Sequence, residues 1–286
     1  MTPNLTQKPV EIAGIQVPRF LYGTAWKEDQ TQRLTELGLE QGFHGIDTAN
    51  QRRHYHESAV GQAITASIGR GVVARNDLFL QTKYTFRSGQ DHRLPYDPNA
   101  PIADQVKQSL ASSLQHLGTD VIDSYLLHGP TRRTDLAPDD WAAWRAIEGI
   151  HDSGRARLIG VSNFNLVQLQ TLYREARIKP SFVQNRCYAS TGWDRVVREF
   201  CTANGIVYQG FSLLTANRDV LAHPEISRIA QCHRRTVNQI VFRFAIEVGM
   251  IALTGTTSAE HMREDLAVFD FSLEPENVAR IEQLMG

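Results

Sequence analysis

Short apolar runs alternate with longer helical runs eight times along this chain, and few architectures accommodate that rhythm. Candidate strands fall at residues 20–24, 44–47, 78–83, 121–127, 157–161, 182–184, 206–211 and 251–254. Most of the segments between them carry helical periodicity. In residues 104–117, Val106, Leu110, Leu114 and Leu117 recur at helical spacing and make one apolar stripe. Asn165 and Gln168 form an N-cap and N3 pair before Leu169 and Leu172, and Thr257 with Glu260 repeats that pattern after the eighth strand. Eight β/α units within 286 residues predict a closed parallel (β/α)8 TIM barrel, which folds as one domain at about 250 residues. A single domain over residues 1–286 is therefore expected. An open doubly wound sheet is the competing architecture, but no G-x-G-x-x-G follows any strand. Residues 10–17, with Ala13-Gly14 at the centre, predict a small β-hairpin ahead of the barrel.

Charge and composition narrow the function. The chain has 30 Lys+Arg against 31 Asp+Glu, a net charge of -1, which offers no electrostatic basis for binding nucleic acid or an anionic membrane. No run approaches the ~18 apolar residues of a membrane span, and the N-terminus lacks the basic and apolar regions of a secretory signal. The three cysteines, Cys187, Cys201 and Cys232, are odd in number and widely spaced. That pattern fits a reducing compartment and predicts a cytoplasmic protein, expected to be a monomer with a small-molecule substrate. Only five of the 30 basic residues are lysine, so a lysine closing an apolar strand stands out.

Three consecutive strands end on ionisable residues: Asp47 in GIDTA, Lys83 in LFLQTKY and His128 in DSYLLHGP. In a parallel barrel the carboxyl ends of the strands face the active site. Each residue alone fits an ion pair or a packed histidine, but three in succession point to a site. Tyr55 follows in the loop after the second strand. An ammonium beside a phenol is expected to lower the phenol pKa from ~10 towards neutrality, with a carboxylate holding the ammonium. An imidazole can hydrogen-bond a substrate oxygen. Together the four residue types suit protonation of a developing alkoxide, as carbonyl reduction requires when a hydride donor is at hand.

At these residues the sequence resembles the aldo-keto reductase family, over nearly the whole chain. GTAWK (residues 23–27), GIDTA (45–49), YHESAVG (55–61), IGVSNF (159–164) and VFDFSL (268–273) match family motifs in order. The resemblance implies that Tyr55 is the proton donor, that Lys83 and Asp47 tune it, and that His128 orients the carbonyl. It implies NADPH as cofactor, with NADH as an alternative and no metal. Ser162, Asn163 and Gln184 match positions that hold the nicotinamide carboxamide, and Phe211 matches the aromatic that stacks on its ring. Gly23, Thr24, Asp47, Ser212, Leu214, Thr256, Thr257, Ser258, Glu264 and Asp265 complete the implied cofactor set. Two departures stand out. Five residues, Asn50 to His54, separate Ala49 from Tyr55 where the family pattern has two. Matching Glu57 to Gly61 without a gap would set His54 at the tyrosine position, but a phenol suits the role and a loop absorbs a short insertion. The lysine and arginine that often bind the 2′-phosphate are replaced by Gly255 and His261. Hydroxyls at Thr256, Thr257 and Ser258 on a helix N-terminus offer another hold for that phosphate.

Trp26, Tyr84, Arg52 and Arg53 are the expected substrate contacts, the first two as apolar walls. Arg52 and Arg53 together with Arg132, Arg133 and Arg186 would favour an anionic carbonyl substrate such as a keto acid if two or more face the mouth. Two rival functions remain. One is a metal-dependent barrel hydrolase built on His54 and His56, which leaves IGVSNF unexplained. The other is a non-catalytic nicotinamide-binding subunit, against which the four catalytic residue types speak.

Overall fold

The computed structural model describes residues 9–284. An antiparallel hairpin, β1 (Val10–Ile12) and β2 (Ile15–Val17), pairs Val10 with Val17. Ala13 and Gly14 form its turn, as the sequence suggested, and both are at positive φ. Eight parallel strands follow: β3 (Phe20–Gly23), β4 (Gly45–Asp47), β5 (Phe79–Tyr84), β6 (Ile122–Leu127), β7 (Ala156–Ser162), β8 (Phe182–Arg186), β9 (Val207–Phe211) and β10 (Ile251–Thr254). They close into a barrel in chain order, with β10 beside β3. Every strand coincides with an expected run to within two residues. The helices are α1 (Thr31–Glu40), α2 (Glu57–Gly69), α3 (Ile102–Leu117), α4 (Pro138–Asp152), α5 (Leu166–Glu175), α6 (Arg195–Ala203), α7 (Arg218–Leu221), α8 (Pro224–His233), α9 (Val237–Glu247), α10 (Ala259–Leu266) and α11 (Pro275–Gln283).

Contacts group the described residues into two compact units, one of Tyr22–Val183 and the other of those up to Leu21 together with those from Gln184 onward. In the first, β4 to β7 run in register, with Asp47 level with Gln81 and Lys83 level with Leu126. Their side chains are buried on both faces of the sheet, so the strands read as near-continuous apolar runs. The α3 stripe is buried at Val106, Leu110, Leu114 and Leu117. Helix α5 begins with the expected capping box, Asn165 accepting from the Gln168 backbone while the Gln168 side chain returns to Asn165. In the second unit Trp193 is fully buried and donates through Nε1 to the carbonyl of Ile281 on α11. The N-cap of α10 is Ser258, not the expected Thr257. The chain stays extended for one residue more, and the Ser258 hydroxyl accepts from the His261 N–H at 3.4 Å.

Helices α2 and α3 approach closely at Gly61. A Cβ there would sit 1.9 Å from the His116 carbonyl oxygen and 2.9 Å from Leu117 Cα, both backbone atoms. Exchange of a helical glycine for alanine ordinarily stabilises a helix by about 1 kcal/mol. Here the sign should reverse, because the helices must separate. Gly61→Ala is expected to lose about 1–3 kcal/mol, read as a lower urea midpoint at unchanged slope.

Candidate active site

Strand periodicity builds the site. Along β5 alternate side chains face opposite ways. Gln81 and Lys83 face Asp47, while Thr82 and Tyr84 face the helices: Thr82 donates to Glu57 of α2, and Tyr84 donates to Gln105 of α3 at 3.3 Å. Lys83 is fully buried and Asp47 nearly so. The ammonium donates to both Asp47 carboxylate oxygens at 2.7 Å and to the Thr48 carbonyl at 2.9 Å, which uses all three of its protons. Gln81 gives Asp47 a further bond at 2.7 Å. The Asp47 carbonyl takes the N–H and the hydroxyl of Thr24, both at 3.0 Å. Burial pulls the Lys83 pKa down, against the charge and hydrogen bonds of Asp47 and the more distant charge of Glu57.

The lengthened loop is wound up rather than splayed. The Gln51 carbonyl accepts from the His54 N–H at 3.1 Å and the Tyr55 N–H at 2.9 Å, making one tight turn. Asn50 and Gln51 are buried and anchor it, through Asn50 to the Ser109 carbonyl at 3.0 Å and Gln51 to the Gly89 carbonyl at 2.7 Å. The turn brings Tyr55 to Lys83, whose Nζ lies 5.5 Å from the ring centroid, and sets the phenol edge-on to His128 at 6.0 Å between centroids. His54 turns elsewhere. Its ring lies on Trp26 at 3.9 Å, and its carbonyl accepts from the Trp26 N–H at 2.8 Å.

Two expectations need correction. The Tyr55 pKa is not lowered. Burial raises it first, and the Asp47 carboxylate raises it further. The charge of Lys83 is already matched by Asp47, which holds two of its three protons, so the ammonium does not lower the phenol. Tyr84, expected as a substrate wall, is fully buried and packs against Phe86 and Tyr96. It follows Lys83 directly in a strand, so it must face away from the barrel interior.

His128 is half-buried, and burial, Lys83 and His54 together pull its pKa down to about 3. The imidazole is therefore neutral near pH 7. Asn163, at the end of β7, adopts a left-handed conformation at φ +58° and is exposed. Its amide donates to the His128 carbonyl at 2.8 Å and to Ser162 Oγ at 3.1 Å. Trp26 is 69% exposed, also at positive φ. Arg52 donates to the Tyr55 carbonyl at 3.4 Å and lies 3.9 Å from Glu28, while Arg53 is exposed. Arg132 pairs with Asp135 at 3.2 Å. His54 and His56 do not converge on a common donor set, and among the described residues no three His, Cys, Asp or Glu side chains gather to hold a metal.

In the other unit, Gln184 donates to Gln209 at 2.9 Å, and the Arg186 guanidinium lies 5.9 Å from the Phe211 ring centroid. Ser212 is at positive φ, next to the buried Leu213 and the half-buried Leu214. Thr256 and Ser258 are half-buried at the start of α10, and Thr257 is exposed. Glu264 is half-buried, and Asp265 is buried and bonded to the Thr254 hydroxyl. Cys187 and Cys201 are buried free thiols, each pushed up to about 12 by burial, so neither is a nucleophile. Cys232 is exposed, and no helix among the described residues is long and apolar enough to cross a membrane.

The sequence reading missed Gln81, Glu57 and Thr85. Glu57 is a buried carboxylate that accepts from Thr82 and lies 3.1 Å from His116 Nδ1. Gln81 and Thr85 stand two residues either side of Lys83, and that spacing was the available signal.

A parallel (β/α)8 barrel with a buried lysine–aspartate pair, a phenol and a neutral imidazole at its strand ends defines a class of carbonyl-directed oxidoreductases. The chain belongs to the aldo/keto reductase family, whose model matches residues 20–285. It is 29% identical over 99% of its length to the uncharacterized oxidoreductase YtbE of Bacillus subtilis, covering 95% of that protein. It is 30% identical to rat aldo-keto reductase family 1 member C15, with 95% of this chain and 89% of that protein covered. The structure of Bombyx mori aldo-keto reductase AKR2E4 in complex with NADP superposes with a TM-score of 0.81 at 28% identity, covering 97% and 92% of the two chains.

Asp265 makes stability depend on pH. Burial raises its pKa to about 7, well above the ~3.9 of an unfolded aspartate. Between about pH 4 and 7 the folded chain holds a proton that the unfolded chain has released, so stability falls as pH rises through that window. Asp265→Asn removes this loss. Relative to the parent, the variant should gain roughly 3–4 kcal/mol between pH 4 and pH 8 in urea unfolding, and a constant difference would refute the assignment.

Proposed function

We propose that this protein reduces an aldehyde or ketone to an alcohol with NADPH, as a monomeric cytoplasmic enzyme of one barrel domain. The carrying observation is Tyr55 set against Lys83 and His128, with Lys83 locked to Asp47. The NADP of the Bombyx mori complex supports the cofactor assignment. The donor chemistry on this chain fits such a group. Ser162, Asn163 and Gln184 match a carboxamide, and Phe211 offers an aromatic face. Thr256, Thr257 and Ser258 offer hydroxyls to a phosphate where α10 begins, and Glu264 and Asp265 lie in that helix. Gly23, Thr24, Ser212 and Leu214 complete the set. When bound, the reduced nicotinamide supplies the hydride.

The chain's own groups handle the proton and the carbonyl. Tyr55 carries its phenolic proton at neutral pH, so it has one to give in the reductive direction. Its hydroxyl gives that proton to the carbonyl oxygen as negative charge develops there. Lys83 then lies near a phenolate and stabilises it, held in place by Asp47 and the Thr48 carbonyl. Neutral His128 hydrogen-bonds the carbonyl oxygen and orients it. The exposed indole of Trp26 and the Arg52 and Arg53 guanidinia are the proposed substrate contacts.

Titration of tryptophan fluorescence tests the function. Saturable quenching by NADPH, with turnover of a panel of aldehydes, is the expected result. NADH should bind less tightly, and equal affinities would mean that Gly255 and His261 have relaxed the choice. Binding without turnover would favour a regulatory subunit, and no binding would remove the reductase assignment. Tyr55→Phe is expected to lose about 10²-fold or more in kcat with NADPH binding intact. Lys83→Met should likewise lose orders of magnitude in kcat, and it also removes the counter-ion of the buried Asp47 carboxylate at a cost of about 3–5 kcal/mol. An unchanged kcat in either variant would remove that residue from the mechanism.

A further inference from the structure

Thr85 takes no part in the chemistry described above, yet it touches it. It continues the β5 face that carries Gln81 and Lys83. Its hydroxyl oxygen lies 2.6 Å from Nδ1 of His128, and the residue is 6% exposed. Both ends of this contact are fixed through the backbone. The Thr85 carbonyl accepts from the Tyr96 hydroxyl at 2.8 Å and from Gln90 Nε2 at 3.3 Å. Gln90 Nε2 also holds the Asn50 carbonyl at 2.8 Å. On the other side the His128 N–H donates to the Tyr84 carbonyl at 2.9 Å, and the His128 carbonyl accepts from Asn163.

The direction of the proton in the Thr85–His128 bond follows from counting donors. A threonine hydroxyl has one proton to give, and a neutral imidazole has one protonated and one bare nitrogen. Among the described residues, His128 Nδ1 is the one hydrogen-bond partner of the Thr85 hydroxyl. If Nδ1 held the ring proton, the hydroxyl would have to accept, and its own proton would be buried without an acceptor. If the hydroxyl donates, Nδ1 is bare, the ring proton sits on Nε2, and no donor is orphaned.

We propose that Thr85 is a positioning residue that fixes His128 in the Nε2–H form, so that the ring offers a hydrogen-bond donor, not a lone pair, to the substrate's carbonyl oxygen. The tautomer follows from the Thr85 contact alone, and its use on a carbonyl rests on the proposed reductase function. A neutral ring has to be set in one tautomer to serve as a donor. His128 is neutral near pH 7 because its pKa is pulled down to about 3. The hydroxyl does the setting without itself touching substrate.

The full-length protein tests this with Thr85→Val, which keeps the shape and removes the hydroxyl, and Thr85→Ser, which keeps the hydroxyl. Nitrogen-15 NMR of the imidazoles reads the tautomer directly. The wild type and Thr85→Ser should show His128 protonated at Nε2 and bare at Nδ1, and Thr85→Val should show a mixture. In turnover with NADPH and an aromatic aldehyde, Thr85→Val should lose about tenfold in kcat at little-changed KM, and Thr85→Ser should recover most of it. Should Thr85→Val fail to fold by circular dichroism, Thr85→Ala takes its place in both measurements. Protonation of His128 at Nδ1 in the wild type would overturn the proposal. So would a variant without the hydroxyl that keeps both the tautomer and kcat. The NMR measurement needs no turnover, so an inactive wild-type protein would sink the reductase function and leave the tautomer decided on its own evidence.

Discussion

Everything at the strand ends depends on one desolvated ion pair, Lys83 with Asp47. Neither partner has useful access to water, so neither could be charged at this depth alone. Both Asp47 oxygens, the Thr48 carbonyl and Gln81 complete the pair, and their positions come from adjacent strands in fixed register. The ammonium therefore has no proton left to offer Tyr55. Its influence on the phenol acts through space, and in the resting protein burial and the Asp47 charge outweigh it. The phenol is thus kept protonated in the resting protein. That is a different account from a phenol already acidic at rest.

Most of the architecture was legible because barrel strands are short, apolar and regularly spaced. The capping box at Asn165 was legible because its two side chains satisfy each other locally. The cap of α10 was misplaced by one residue because three consecutive hydroxyl residues can each serve, and only the backbone path decides among them. In the site, Asp47, Lys83 and His128 were legible as ionisable groups closing apolar runs. Tyr84 was misjudged because adjacency to Lys83 in sequence means opposition in a strand. Thr85, one residue further, shares the lysine's face and was passed over because a lone threonine carries no charge to mark it.

The phenol pKa was not legible from residue types at all. Its direction depends on whether the ammonium is free or already paired, and that is a matter of distances. The choice between His54 and Tyr55 was of the same kind. What bears on it is where the turn at Gln51 delivers each ring, one onto Trp26 and the other beside Lys83 and His128.

That turn separates two quantities usually treated as one, the length of a loop and the reach of the residue at its end. The additional residues coil on the Gln51 carbonyl, and buried anchors at Asn50 and Gln51 hold the coil from below. Its outer residue, Arg53, faces solvent. The loop is thus a small cassette mounted beside Lys83 and His128. Its outer sequence can vary without moving the phenol, as long as the two buried anchors and their carbonyl remain.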